Sequence, residues 1–389
     1  MDGVIRPTPV SRSDALSRLA GRDVLLKPEY LQRTGSFKVR GAYNFISRLA
    51  PGGEVVAASA GNHAQGVALA ASLTGSRSTI FMPANAPLPK VEATRAYGAT
   101  VRLVGNVVDD CMVGAREYAE TSGAVFVPPF DDELVIAGQG TVGLEIASEA
   151  PDGEGGPDHV VVPVGGGGLI AGVASALGFT RRGVKVIGVE AESADAMRRS
   201  VAARQVVAVD GVSTMADGIA VKAPSELTLA HVLAYVDEVI TVTEEEISHA
   251  LLLLLERCKA VVEPAGAVGL AAILAGKVPG KGPALAVLSG GNVDPLLLSK
   301  LIDYGLSAAG RYLVLRIVLD DRPGALASLT DAVAQLGLNV LSVEHHRSGA
   351  RVGVDEVEVM LTLETRDPQH RDEVADALGR AGFRVELVG

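Results

Sequence analysis

The sequence predicts an α/β protein: two lobes built on parallel sheets, followed by a separate unit of mixed strands and helices. Three observations carry this. Short apolar runs alternate with amphipathic stretches as far as Leu306, the order that lays strands side by side in parallel. A loop of Gly, Pro and acidic residues at 151–157 (PDGEGGP) divides that alternation in two. After residues 307–310 (SAAG), which read as a linker, the spacing of apolar positions changes. At 389 residues the chain has room for two or three domains of about 150 residues each.

The elements follow in order. Strands are expected at 55–58, 79–82, 101–104, 125–127, 160–164, 184–189 and 284–288, with helices from Asn62 and near Pro89. A smaller lobe covers roughly 42–140 within a first unit of 1–306. Beyond the linker, 312–319 reads as a strand and Asp321–Gly324 as a turn. Residues 325–336 form a helix with Ala325, Leu326, Leu329, Val333 and Leu336 on one face. A strand at 339–343 comes next. Val357, Val359, Leu361 and Leu363 then alternate as a half-buried strand must. A helix at 371–381 and a strand at 383–388 close the order β-α-β-β-α-β over 311–389, the ferredoxin-like arrangement.

Composition narrows the function classes. The chain is 48% hydrophobic and 21% charged, with 4% aromatic residues and no Trp, so the core must pack through Ala, Val and Leu. The net charge of −11 argues against nucleic acid and against an anionic membrane surface, both of which want clustered Lys and Arg. Small anionic substrates stay compatible, because local fields decide binding. Cys111 and Cys258 are far apart and make no metal or disulfide framework. The first residues are polar, without the apolar core of a signal peptide, and the run 251–255 is too short to span a bilayer. The expectation is a cytoplasmic protein.

Four stretches carry chemistry. In 34–42 (TGSFKVRGA) Lys38 stands among small and apolar residues; a lysine in an apolar cleft has a lowered pKa and can form a Schiff base. In 59–66 (SAGNHAQG), at a strand-to-helix turn, backbone N–H groups at a helix start can receive a carboxylate; a plain helix cap on Ser59 or Asn62 is the bland alternative. Residues 165–168 are four glycines between a strand and an apolar helix, which lets backbone wrap a phosphate. No Lys-Ser/Thr follows, so this is not a Walker loop. Gly166, Gly168 and Ala171 with Glu190 also match a dinucleotide fingerprint, so this stretch alone leaves a nicotinamide cofactor open. In 289–294 (SGGNVD) Ser289 follows a buried strand, where α/β sheets place ligand groups.

Taken together, the four stretches resemble in order and spacing the fold type II (tryptophan synthase β-like) pyridoxal-phosphate (PLP) enzymes, and within them the threonine and serine dehydratases, over roughly 5–305. The nicotinamide reading explains neither Lys38, nor 59–63, nor Ser289. The resemblance implies that Lys38 holds PLP as a Schiff base, with Phe37 against the cofactor. It implies Asn62 on the ring hydroxyl oxygen, Gly165, Gly166, Gly167 and Gly168 on the phosphate, and Ser289 at the ring nitrogen. Ser59, Gly61, Asn62 and His63 would hold the substrate carboxylate, and Lys38 and Ser59 are the candidate catalytic residues. Related serine racemases bind a divalent cation where Glu190, Ala194 and Ala196 stand here; with Ala196 in place of an acid, no metal is expected.

Residues 311–389 resemble an ACT regulatory domain, with Asp321, Arg322, Pro323, Gly324, Ala325 and Leu326 (DRPGAL) matching its amino-acid-binding turn. Such domains usually pair across a subunit interface, so a homodimer or homotetramer is expected. The implied activity is threonine or serine ammonia-lyase. A racemase or hydroxyaspartate dehydratase of the same superfamily is the nearer alternative, and a non-catalytic amino-acid sensor the remote one.

Overall fold

The computed structural model describes residues 3–150, 156–181, 183–308, 310–347 and 353–388. Within them the chain divides into two compact units, Met1–Leu298 and Ser299–Gly389. The first contains two sheets. A six-stranded sheet runs in the order Ser11–Arg12, Val24–Pro28, Ala284–Leu288, His159–Pro163, Lys185–Ala191, Glu238–Val242. All its pairings are parallel except the outermost, Ser11–Arg12 on Val24–Pro28. A four-stranded, wholly parallel sheet runs Thr100–Leu103, Arg77–Met82, Glu54–Ala58, Val125–Phe126.

The two lobes are not successive halves of the chain. Val24–Pro28, buried along its whole length, pairs with Ala284–Leu288 in the large sheet. The chain therefore starts in the large lobe, builds the small one, and returns. The loop at 151–157 falls between the small-sheet strands, which end at Phe126, and the returning large-sheet strands, which begin at His159; it does not mark the first visit to the large lobe at 11–28, and its residues 151–155 lie outside the described residues.

The cores confirm packing by small aliphatics. The large lobe closes around Val160, Val162, Ile170, Val173 and Leu177, the small lobe around Val55, Ala57, Val67, Ile80 and Met82. Two helices, Glu133–Glu149 and Gly168–Thr180, meet almost backbone to backbone. A Cβ on Gly172 would lie 2.4 Å from the Ile136 carbonyl oxygen. That contact fixes the start of the second helix, where the glycine run ends.

The second unit has the expected order. Its antiparallel sheet runs Val340–His346, Glu356–Glu364, Tyr312–Asp320, Arg384–Leu387. Helices Ala325–Gln335 and Pro368–Arg380 contribute Leu329, Val333, Val374 and Leu378 to its core. One expectation changes. The stretch 307–310 does not begin as a linker, because its first two residues are the last of helix Pro295–Ala308. Ser and Ala tolerate a helix, and the stop comes at Gly310, whose φ of 69° is left-handed. Gly310 N–H donates to Ser307 and Arg311 N–H to Leu306, the closure that ends helices at glycine. Ala309 lies outside the described residues. No helix among the described residues is long and apolar enough to cross a membrane.

Candidate active site

Lys38 is the first residue of helix Lys38–Ile46. Its Nζ donates to the Pro129 carbonyl oxygen at 2.8 Å and lies 5.4 Å from the Phe37 ring centre. Burial of the amine lowers its pKa to about 8, against a smaller opposing pull from Glu263. Two residues on, Arg40 is fully buried and spends all five guanidinium donors. It forks onto Glu29 (both contacts 2.8 Å) and onto Glu145 (2.6 and 2.9 Å), and reaches Thr141 at 3.1 Å. The helix that carries Lys38 is thereby bound to Glu29 beside the large sheet and to helix Glu133–Glu149.

The second stretch follows strand Glu54–Ala58 and opens helix Asn62–Leu73. Ser59 Oγ accepts from Gly61 N–H at 3.1 Å, which leaves its own hydroxyl hydrogen to donate. The Asn62 and His63 N–H groups, at the helix start, have no acceptor among the described residues. A Cβ on Gly61 would meet nothing within 4 Å, so the space over this turn is open. The His63 ring is committed elsewhere: Nε2 donates to the Val127 carbonyl at 2.9 Å. Burial, then the neighbouring Lys38 charge, push its pKa down to about 3, so the ring is neutral.

The glycine run lies between strand His159–Pro163 and helix Gly168–Thr180. Gly167 has a φ of 92°, which orients successive N–H groups to one side. The N–H groups of Gly165, Gly166 and Gly167 donate to nothing among the described residues. A Cβ on Gly166 would sit 2.3 Å from the Phe130 ring, and one on Gly168 2.8 Å from Phe130 Cβ. Only glycine fits at either position.

The fourth stretch closes on the first. Phe37 N–H donates to the Ser289 carbonyl, Gly291 N–H to the Gly35 carbonyl, and Ser36 bridges Gly290. The buried Ser289 side chain sits at the end of strand Ala284–Leu288, and its Oγ has no hydrogen-bond partner among the described residues.

Sequence reasoning missed two parts of this site. The segment Val127–Phe130 (VPPF) receives His63 on Val127, receives Lys38 on Pro129, and packs Phe130 on the glycine run. Two adjacent prolines, carbonyls without N–H groups, were its available signal. Glu263 was missed as well. It is buried, stands at the N-cap position of helix Pro264–Leu274 without bonding to the helix's N–H groups, and accepts from Asn62 Nδ2 at 2.6 Å. Burial, then the charge of Asp217, raise its pKa to about 7. An acid before Pro inside an apolar run (VVEPAG) was the signal.

Glu190 gives both carboxylate oxygens to backbone, at Met197 N (2.9 Å) and Arg198 N (2.8 Å), at the start of helix Ala196–Ala203. Burial raises its pKa to about 7. Ala194 and Ala196 bring no ligand atoms on their side chains. No cluster of three His, Cys, Asp or Glu side chains suited to a metal is found among the described residues.

In the second unit, Asp321–Gly324 is an exposed turn leading into helix Ala325–Gln335. Asp321 pairs with Arg347 at 3.4 Å and Arg322 with Asp320 at 3.3 Å. The N–H groups of Leu326 and Ala327 lack an acceptor among the described residues. A cleft lined by Asn339, Glu364, Arg366 and His370 lies at the opposite end of the sheet, away from this turn.

PLP fits the residues present. The glycine N–H groups lack acceptors as a phosphate cradle must, Lys38 is a dry amine, and Ser289 Oγ is unpaired at the strand end. The comparisons agree. Residues 1–290 match the family described as pyridoxal-phosphate dependent enzyme, and residues 313–383 the ACT domain. The chain is 49% identical over 393 residues to an L-threonine ammonia-lyase of Thermotoga maritima, covering 100% of this chain and 97% of that one. It is 46% identical to an L-threonine ammonia-lyase of Geobacter sulfurreducens, covering 99% and 96%. Among solved structures it resembles threonine deaminase isoform 2 of Solanum lycopersicum, with a TM-score of 0.73 and 37% identity over 77% of this chain and 84% of that one. Maize serine racemase gives a TM-score of 0.72 at 35% identity, over 78% and 93%. The chain belongs to the pyridoxal-phosphate dependent enzyme family and carries an ACT domain after its catalytic unit.

Proposed function

We propose that this chain is a PLP-dependent threonine ammonia-lyase that converts threonine to 2-oxobutanoate and ammonia, and serine to pyruvate. The observation that carries the reading is the dry, partly neutral Lys38 on the Pro129 carbonyl, next to Phe130, which packs on the glycine run, together with open N–H groups at the start of helix Asn62–Leu73. The full-length similarity to L-threonine ammonia-lyases supports threonine as substrate.

Bound PLP supplies an electron sink conjugated to the substrate nitrogen. The N–H groups of Gly165–Gly168 would hold its phosphate, and Phe37 would lie against it. Ser289 would offer the ring nitrogen a neutral hydroxyl, a weaker partner than a carboxylate, which favours elimination over reactions that need long-lived charge at Cα. The Ser59 hydroxyl and the N–H groups of Asn62 and His63 surround the substrate carboxylate, while the Gly61 N–H is held by Ser59 Oγ. His63 acts through backbone, since its ring is turned to Val127. Lys38 Nζ takes the Cα proton. The four-carbon product follows from loss of water and then hydrolytic release of ammonia.

The exposed turn Asp321–Leu326 at a helix start is the proposed seat of a small amino-acid effector, whose carboxylate the free N–H groups of Leu326 and Ala327 suit. Exposed Leu341 and Val343 on edge strand Val340–His346 support pairing of this unit with a second copy. An assay of 2-oxo acid release from threonine, serine and β-hydroxyaspartate tests the reading, with racemisation followed in parallel. Threonine should turn over fastest. Release from none of the three, or racemisation outrunning elimination, rejects it. Borohydride reduction followed by peptide mapping should label Lys38 alone.

A further inference from the structure

Asn292 belongs to the fourth stretch, three residues beyond Ser289. It sits at the centre of a hydrogen-bond chain that joins three stretches. Its Nδ2 donates to the Thr34 carbonyl and to Asn62 Oδ1, both at 2.7 Å. Asn62 Nδ2 then donates to Glu263 Oε1 at 2.6 Å. Thr34 and Glu263 are buried, and Asn62 and Asn292 half-buried.

The direction of this chain is forced from its ends. A backbone carbonyl only accepts, so the Asn292 group facing Thr34 must be its NH2. The second hydrogen of that NH2 then meets Asn62, which must present its oxygen. The Asn62 NH2 consequently faces Glu263 Oε1, which accepts whether the group is ionised or carries its proton on Oε2. One Asn62 N–H remains, and the chain obliges it to be a donor. The backbone makes room for this. A Cβ on Gly35 would lie 2.4 Å from Asn292 Oδ1, and one on Gly290 2.3 Å from Glu263 Oε1 and 3.1 Å from Asn62 Nδ2.

The geometry points to Asn292 as a positioning residue: anchored on the Thr34 carbonyl, it fixes the polarity of Asn62 so that a single N–H is offered to the ring oxygen of PLP. Glu263 anchors the other end. This rests on the reading that Asn62 meets that ring oxygen, and the experiment separates the two. In Asn292→Asp, a carboxylate would face the Thr34 carbonyl and Asn62 Oδ1, acceptor against acceptor. Turning the Asn62 amide to relieve this would set its oxygen against Glu263 and withdraw the donor from the cofactor.

Apoprotein is titrated with PLP, and the visible absorption of the bound cofactor is followed from pH 6 to 9, for wild type, Asn62→Ala, Asn292→Asp, Asn292→Ala and Glu263→Gln. Asn292→Asp should bind PLP roughly ten- to a hundredfold more weakly, the worth of one charge-assisted hydrogen bond, and shift the visible band as Asn62→Ala does. Glu263→Gln still accepts through Oε1 and should stay within about threefold of wild type. Asn292→Ala removes one anchor and should fall between. Thermal melts of the apoproteins check folding; if Asn292→Asp is unfolded, an unchanged band and affinity in Asn292→Ala overturn the proposal. A weakened Asn62→Ala beside an unaltered Asn292→Asp also overturns it. If Asn62→Ala itself changes nothing, the reading of Asn62 fails first.

Discussion

Arg40→Met would remove the central cation of a buried ion-pair cluster. Arg40 and Lys27 meet Glu29 and Glu145 in a buried cluster, with Glu149 3.7 Å from Lys27 at its edge. Arg40, Lys27 and Glu29 have side chains with no exposure, and Glu145 has 19%. Arg40 is held protonated well above its ordinary range: burial opposes the charge, but Glu29 and Glu145 outweigh burial. Without Arg40, Glu145 keeps Lys27 at 2.7 Å, whereas Glu29 keeps only the Thr8 hydroxyl at 2.5 Å. An uncompensated buried carboxylate costs about 3–5 kcal/mol. At roughly 2 °C per kcal/mol for a unit of this size, the melting temperature should fall by about 6–10 °C. Arg40→Met/Glu29→Leu removes both charges and fills the space with apolar atoms, so much of the loss should return. Urea and thermal unfolding of the holoenzyme measure both. A loss below about 1 kcal/mol, or a double variant as unstable as the single, refutes the reasoning.

Three further outcomes follow from the site. With its pKa lowered to about 8, Lys38 is neutral in roughly one molecule in ten at pH 7. The rate at which apoprotein captures PLP should therefore rise with pH and level off above about 8; a rate flat from pH 6 to 9 contradicts the dry amine. Ser289→Asp gives the ring nitrogen a charged partner, so racemisation and transamination should gain on elimination, and unchanged partitioning in a variant that still binds PLP counts against the role of Ser289. Gly324 holds a φ of 90° at the start of helix Ala325–Gln335. Gly324→Ala should cost about 1–2 kcal/mol and weaken any calorimetrically detected effector while leaving the cofactor spectrum unchanged. An effector that binds Gly324→Ala as it binds wild type places the site elsewhere, with the cleft near His370 as the next place to look.

The sequence by itself determined the strand-and-helix order, the second unit, and the four stretches that the fold brings together. Each was legible because its signal is local: an apolar period, a glycine run, a lysine among small residues. Partnerships between distant segments were not local and became visible only in the tertiary structure. Val24–Pro28 reads as a short apolar run anywhere, and only its pairing with Ala284–Leu288 puts it in the large lobe. Ser307 and Ala308 look like linker by composition, and it is the left-handed Gly310 that ends their helix. His63 stands in the carboxylate turn by sequence, and only the fold shows that its ring is committed to Val127, which leaves its backbone N–H for that turn. Glu263 and Asn292 lie 201 and 230 residues from Asn62 along the chain. A hydrogen bond depends on distance and direction in space, which spacing in sequence does not carry. The residues that fix the polarity of the site could therefore be read only once the chain was folded.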